Sequence, residues 1–583
     1  MMKTVRFSRS LLPVLVIFIS ACAFPPSAPT IADTPVVSAT EPEKTPAHSP
    51  DVVFHNGIIL TMDENQPRAR AIAIDGGSIL AVGSDSEILA LRGSSTVVVD
   101  LQGKAVTPGF IDSHQHRIGD RSKRGYTDAD PIIQIAIEQG WTTLDELYVN
   151  QERLNELRAL DQEGRLRLRV NAFLPVMDNS PEGTFMVPYY EGYTQGQMVS
   201  PRVRVAGLKV FTDFDNATIL FWEQGDLNAY LLRLHQEGWQ LAVKTVSSRS
   251  LEMILRAFEY IESGDPSVLA SRGRLEHVLF LTPGQIARVK HLGLIPSIQS
   301  NMPGEMVGDQ GITELIGREP SDSAFPWRSL VDSGIVFANG SAWPSNYVDE
   351  PTGAPFGSPI RLIYQAVTRA GNLGAQPEAW MLDQTITAEE ALRGLTIDAA
   401  YANFQDGILG SLTPGKLADL VILSDNPLSV STSDINNGTV LMTMIDGHVE
   451  YCAVGFASLC PGLRTPGPMP SQVSEGPEST SFTGAWEGAD PPDGSILTLF
   501  LVQKENGFTG TYSDTYSPNV DPPGYEGTGS GTTLSSTTAQ MTFSLTRWDG
   551  KSAQAQYSLT LSNQNQTLTL GCEAGCPIVL QRQ

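Results

Sequence analysis

Between residues 106 and 341 the chain lays down eight short apolar runs of β type, separated by loops or by segments of helical periodicity. No other feature narrows the fold as much. The runs cover 106–114, 140–144, 166–176, 203–213, 239–246, 273–280, 294–300 and 335–341. Apolar residues recur at helical spacing in 151–162, 227–236, 251–261 and 285–291. This alternation predicts an α/β fold, a parallel (β/α)8 TIM barrel over residues 105–407. In such a barrel the functional groups gather at the C-terminal ends of the strands.

The first run reads A-V-T-P-G-F-I-D-S-H-Q-H over residues 105–116. On a strand, residues i and i+2 share a face, so His114 and His116 project together. Two imidazoles on one face are half of a transition-metal site. No cysteine lies near them, which argues against a thiol nucleophile. The formal net charge of −25, with no basic patch, argues against nucleic acid as a partner.

The first residues read as a targeting segment. Lys3, Arg6 and Arg9 precede an apolar run at 11–19 that is too short to span a bilayer. The following I-S-A-C string resembles a bacterial lipoprotein cleavage box. That implies a signal peptide at 1–22 and a lipid on Cys22, which would anchor the chain to a lipid bilayer, facing the extracytoplasmic side of the cell envelope. An ordinary secretory signal cut near Ala23 is the alternative. Residues 23–50, rich in Pro, Thr, Ala and Ser, make a flexible tether. In an exported chain the remaining cysteines fall into two local pairs, Cys452–Cys460 and Cys572–Cys576, read as disulfides. One zinc site built from all four thiolates is the rival reading.

Residues 51–104 are short strands with Asn-Gly and Gly-Gly turn signals, and 408–455 carry a matching set. A Pro, Gly and Ser-rich linker fills 456–480. Period-two alternation at 497–503, 540–545, 557–561 and 567–570 predicts a separate antiparallel β domain, a small barrel or sandwich, over 481–583.

The P-G-F-I-D-S-H-Q-H string resembles the first barrel strand of the amidohydrolase superfamily. Over residues 51–452 the chain is most similar to the amidohydrolase 3, or YtcJ-like, branch. The resemblance implies that 51–104 and 408–455 pack together as one small composite β-sandwich. It also implies metal-assisted hydrolysis of amide and related non-peptide C–N bonds in a small-molecule substrate. On strand four, L-K-V-F-T-D matches the branch and places Lys209, either carbamylated as a metal ligand or paired with Asp213. On strand five the branch has histidine where this chain has Lys244. On strand six, R-L-E-H matches and places His277 as a ligand or substrate contact. On strand eight the branch reads G-S-D-W-P; here the catalytic aspartate is Ala342 within G-S-A-W-P.

Those departures leave three readings. In the first, His114, His116, Lys209 and His277 surround one divalent ion, zinc by expectation, and a base comes from Glu276 or from a loop carboxylate such as Asp349 or Glu350. In the second, the scaffold is a binding lipoprotein with impaired catalysis, and Lys244 fills a vacated metal position and pairs with Asp213 or a carboxylate ligand. In the third, Lys244 is itself a base or nucleophile.

Overall fold

The computed structural model describes residues 49–462, apart from 125, 181–182, 187, 215–218, 304–323, 344–356, 372–376 and 378, together with eight strands between 484 and 582. Cys22, Asp349, Glu350, Cys572 and Cys576 lie outside the described residues. Among the described residues no helix is long and apolar enough to cross a membrane.

Eight parallel strands form the barrel: β1 Phe110–Gln115, β2 Trp141–Leu147, β3 Arg169–Pro175, β4 Val203–Val210, β5 Leu241–Thr245, β6 Arg274–His277, β7 Ile295–Ile298 and β8 Ala338–Asn339. They pair in sequence order from β1 to β8. Every residue of β1 and β2 is buried, as expected of strands covered on both faces. The helix Gln151–Gln162 turns Leu154, Leu157 and Leu160 inward, and Asn150 caps it by accepting from the Arg153 N–H. The helix Gln224–Gln236 begins three residues before its apolar repeat, because its first turn is polar and carries Asp226.

Among the strand boundaries that depart from the sequence reading, those of the first, fourth and eighth runs shape the site. The first run is two strands, Ala105–Pro108 and Phe110–Gln115, broken at Gly109. A Cβ there would collide with the Thr142 side chain. The fourth run leaves the barrel after Val210, and Asp213–Phe214 pairs instead with Ile219–Leu220. The eighth contracts to Ala338–Asn339. The segment beyond it closes the barrel. Ala342 N–H donates to the His114 carbonyl and His116 N–H to the Trp343 carbonyl, each at 2.7 Å.

Ala105–Pro108 belongs to a six-stranded sheet, so the N-terminal part of the sandwich extends to 108 rather than 104. Its order is His448–Cys452, Val440–Ile445, Leu420–Leu423, Ala105–Pro108, Ile58–Leu60, Arg68–Ala69. A four-stranded sheet carries Ser78–Gly83, Ala71–Asp75, Val52–His55 and Val97–Asp100. Phe54, Ile72, Val99, Leu420, Ile422 and Met444 share one core, so the segments before and after the parallel barrel build this domain together.

A disulfide joins Cys452 to Cys460, eight residues on. Closing so short a loop is worth about 2–3 kcal/mol in the chain-entropy model. The Cys452→Ser, Cys460→Ser variant should therefore unfold at a lower urea concentration. An unchanged midpoint would mean that sheet pairing alone pins this end.

The C-terminal strands form a closed eight-stranded antiparallel barrel in which sequence neighbours pair and Gly484–Ala489 meets Ile578–Arg582. The reading from sequence located four of these strands. It missed Gly484–Ala489, Gly507–Thr515, Tyr525–Thr533 and Ile578–Arg582. The middle two alternate Gly, Ser and Thr rather than large apolar residues, so period two carries little hydrophobic contrast there.

Candidate functional site

Three imidazoles meet at the C-terminal mouth of the barrel. The His114 ring centroid lies 5.4 Å from that of His116 and 4.5 Å from that of His277. His114 is fully buried at the end of β1, while His116 and His277 are half-buried. His277 ends β6 with φ +77°, and Val278 follows at +50°. These left-handed residues turn the chain away from the strand at the site.

Each of two rings is held through Nδ1. His114 Nδ1 lies 2.6 Å from Glu276 Oε2. Glu276 Oε1 accepts from Arg274 Nε at 2.9 Å, so the carboxylate is the acceptor on both sides and His114 Nδ1 is the donor. His277 Nδ1 lies 2.9 Å from Gln299 Oε1, whose amide nitrogen donates to the Ser297 carbonyl at 3.0 Å. An amide oxygen only accepts, so this Nδ1 also carries the proton. Nε2 of both rings is left with its lone pair. His114 Nε2 is buried with no hydrogen-bond partner. Burial, reinforced by nearby Lys209, holds the His114 and His277 rings neutral, well below the usual imidazole range. Burial likewise pushes His116 down to about 4.

Behind the rings lies a dry ionic network. Arg274 donates to Asp145 at 2.8 Å, to Asn403 Oδ1 at 3.0 Å and to the Ser113 carbonyl. Its guanidinium stacks on Phe173 at 4.6 Å. Asn403 Nδ2 donates to both oxygens of Asp145 at 2.9 Å, and Asn171 to one of them at 2.9 Å. Arg274, Asp145 and Glu276 side chains are wholly buried.

Lys209, at the end of β4, is buried and its Nζ has no hydrogen-bond partner. Burial lowers its pKa to about 7, which favours the neutral amine. Lys209 is therefore not the partner of Asp213. Lys244 is: its Nζ sits 3.3 Å from Asp213 Oδ1 and 3.3 Å from the Asp213 carbonyl. That ammonium–carboxylate contact engages Lys244 and does not present a free amine. Glu276 is no free base either, because both its oxygens are occupied.

The frame around Ala342 is tightly fixed. Asp112 accepts from the Ser341 N–H at 2.7 Å and from its hydroxyl at 2.6 Å. A Cβ on Gly340 would collide with the His114 backbone nitrogen. Ala342 itself has φ +49°. Among the described residues, no group of three or more His, Cys, Asp or Glu side chains is arranged to hold a metal ion as it stands. The expected ligand set of His114, His116, Lys209 and His277 is therefore not closed into a cage. The two positions where the resemblance implies further ligands carry Lys244 and Ala342.

Asp145, Asn403 and Gln299 were not foreseen. For Asp145 a signal existed: the acidic pair Asp145-Glu146 inside the buried strand β2 requires partners. Glu146 finds its own in the Gln115 side chain and the Gly119 N–H, at 2.9 and 2.8 Å.

Comparison with known proteins bears on this arrangement. A family model described as the amidohydrolase family matches residues 136–451. The putative amidohydrolase YtcJ of Bacillus subtilis is 21% identical, with 68% of this chain and 99% of that protein aligned. The N-substituted formamide deformylase of Arthrobacter pascens is 29% identical over 40% of this chain and 41% of its own. Among solved structures, an uncharacterized metal-dependent hydrolase from Pyrococcus horikoshii aligns with a TM-score of 0.51 and 20% identity, covering 66% of this chain and 99% of that one. The family match runs over more than half of the sequence and across β2 to the composite sandwich: this chain belongs to the amidohydrolase family, in the branch that includes YtcJ.

Proposed function

We propose that this chain hydrolyses non-peptide C–N bonds in small amides or cyclic amides, using a site reduced to one divalent ion. One observation carries the reading. His114 Nε2 is a buried lone pair without a partner, in a ring whose Nδ1 is clamped by a carboxylate, the usual arrangement of a metal-binding histidine. The donor types suit one ion better than two, although no three of them stand in a metal-holding arrangement among the described residues. His114 and His116 would hold it, with Lys209, free or carbamylated, and His277 beside them, while Lys244 puts a positive charge where a second ion would need an imidazole. Zinc suits an imidazole-rich donor set. Such an ion supplies Lewis-acid polarisation of the scissile carbonyl. The chain's own groups set the rest: Glu276 and Gln299 keep protons on the two Nδ1 atoms, and Lys244–Asp213 fixes the charge on the far side. The deformylase relative, named for its action on N-substituted formamides, supports the C–N class.

A second reading, a binding protein on the same scaffold, draws on Glu276, whose two oxygens are both bonded, and on the Lys244–Asp213 ion pair. Metal content separates the two. Purified without chelator, the full chain should carry about one equivalent of zinc by elemental mass spectrometry. The His114→Gln, His116→Gln double variant should carry almost none. Failure of the folded wild type to take up zinc, even when it is supplied, would sink the hydrolase reading.

A further inference from the structure

We infer that Arg274, through Glu276, sets the tautomer of His114, and that Asp145 and Asn403 act as positioning residues for Arg274. The inference rests on the proposed ion site for its purpose, but its observations stand independently of any ion.

The argument follows from hydrogen-bond roles. Arg274 can only donate. Its Nε faces Glu276 Oε1 at 2.9 Å, and the other Glu276 oxygen faces His114 Nδ1 at 2.6 Å. Whatever stands at 276 must therefore show an acceptor to Arg274. A carboxylate can show a second acceptor to His114, so the ring proton sits on Nδ1 and Nε2 stays a lone pair. Arg274 itself cannot swing away. Asp145 at 2.8 Å, Asn403 at 3.0 Å, the Ser113 carbonyl and Ser297 Oγ at 3.4 Å hold its remaining N–H groups, and the Phe173 ring covers its face. Asn403 grips both Asp145 oxygens, and Asn171 links Asp145 to Gln405. The proton position on a β1 histidine is thus dictated from residues 403–405, almost three hundred positions later.

The consequence is sharp for Glu276→Gln. Arg274 forces the glutamine to show its oxygen to the guanidinium, so its NH2 must face His114 Nδ1 and donate. The ring proton is then displaced to Nε2. The test is long-range 15N–1H correlation of histidine-labelled, metal-free full chain, with His114 assigned by its loss in His114→Gln. The wild type should show a protonated Nδ1 and an unprotonated Nε2. Glu276→Gln, its fold checked by circular dichroism, should show the reverse, and zinc affinity should fall about 10–100-fold. A glutamine variant that keeps the wild-type tautomer would overturn the relay. So would a wild-type ring protonated on Nε2, a measurement that needs no variant to fold. If the wild type shows the expected tautomer and still takes up no zinc, the ion site fails and the relay survives.

Discussion

Replacing Ala342 with aspartate should raise turnover of a simple amide by about 10²-fold or more, the usual worth of a positioned general base. The backbone there is ready for it. Ala342 N–H and the neighbouring Trp343 carbonyl are bonded to His114 and His116, and Ser341 is locked to Asp112, so a side chain at 342 leaves from a frame fixed against both histidines. The residue sits at φ +49°, a conformation that aspartate tolerates better than alanine. In the wild type both Glu276 oxygens are bonded, and Asp213 lies against Lys244 at 3.3 Å. The check is kcat/KM of zinc-loaded Ala342→Asp against wild type on N-substituted formamides and N-acyl amides. A rate within about threefold of wild type, in a folded and loaded variant, would mean that proton transfer does not run through this position.

The largest stability effect should come from Arg274→Met. Removing one partner of a fully buried ion pair costs about 3–5 kcal/mol, because the remaining charge is stranded. Here two carboxylates are stranded, Asp145 and Glu276, both without solvent contact. Burial already raises the Asp145 pKa, and Arg274 is the strongest influence holding it down. Its folded pKa should rise further in the variant. A carboxyl group with a raised folded pKa favours folding in its protonated form, so the deficit should shrink as pH falls through that raised value and be full above it. Urea unfolding at pH 5 and pH 8 measures both the loss and its pH dependence. A loss under about 1 kcal/mol at pH 8 would show that the carboxylates find other partners.

Much of this architecture is legible in the sequence, for a physical reason. Strands covered on both faces, such as Trp141–Leu147 and Val203–Val210, keep enough apolar residues to read as β runs despite the charged Asp145, Glu146, Arg204 and Lys209 within them. His114, His116, Lys209 and the Arg274–His277 string lie at the ends of those runs. The strand ends were less legible, because the turns that finish them depend on distant contacts. Thr212 is drawn out of line by a hydrogen bond to the Lys244 carbonyl, and Ala342 by one to His114. The network behind His114 was the least legible part. Asn403 follows the short helix Ile397–Ala402, and Gln299 follows β7, and neither belongs to a pattern that periodicity or spacing could single out. Lys244 and Ala342 were visible as departures, and Asp213 was one of the partners open to Lys244, but it was equally open to Lys209. Two strand-end lysines stand near one aspartate, and only the fold decides which reaches it.

The closure of the histidine strand by the far end of the chain also orders its history during synthesis. Ile111 N–H bonds the Leu395 carbonyl at 2.8 Å, Gly109 N–H bonds that of Asp419 at 2.9 Å, and Ala105–Pro108 pairs with Leu420–Leu423. At roughly 5–20 residues per second, His114 leaves the ribosome about 15–60 s before Leu423 does. For that interval the strand has no partner on its later side. The histidine end of the barrel therefore matures only after residues 395–423 have been made, and a chain released before them would carry the paired histidines without the means to hold them.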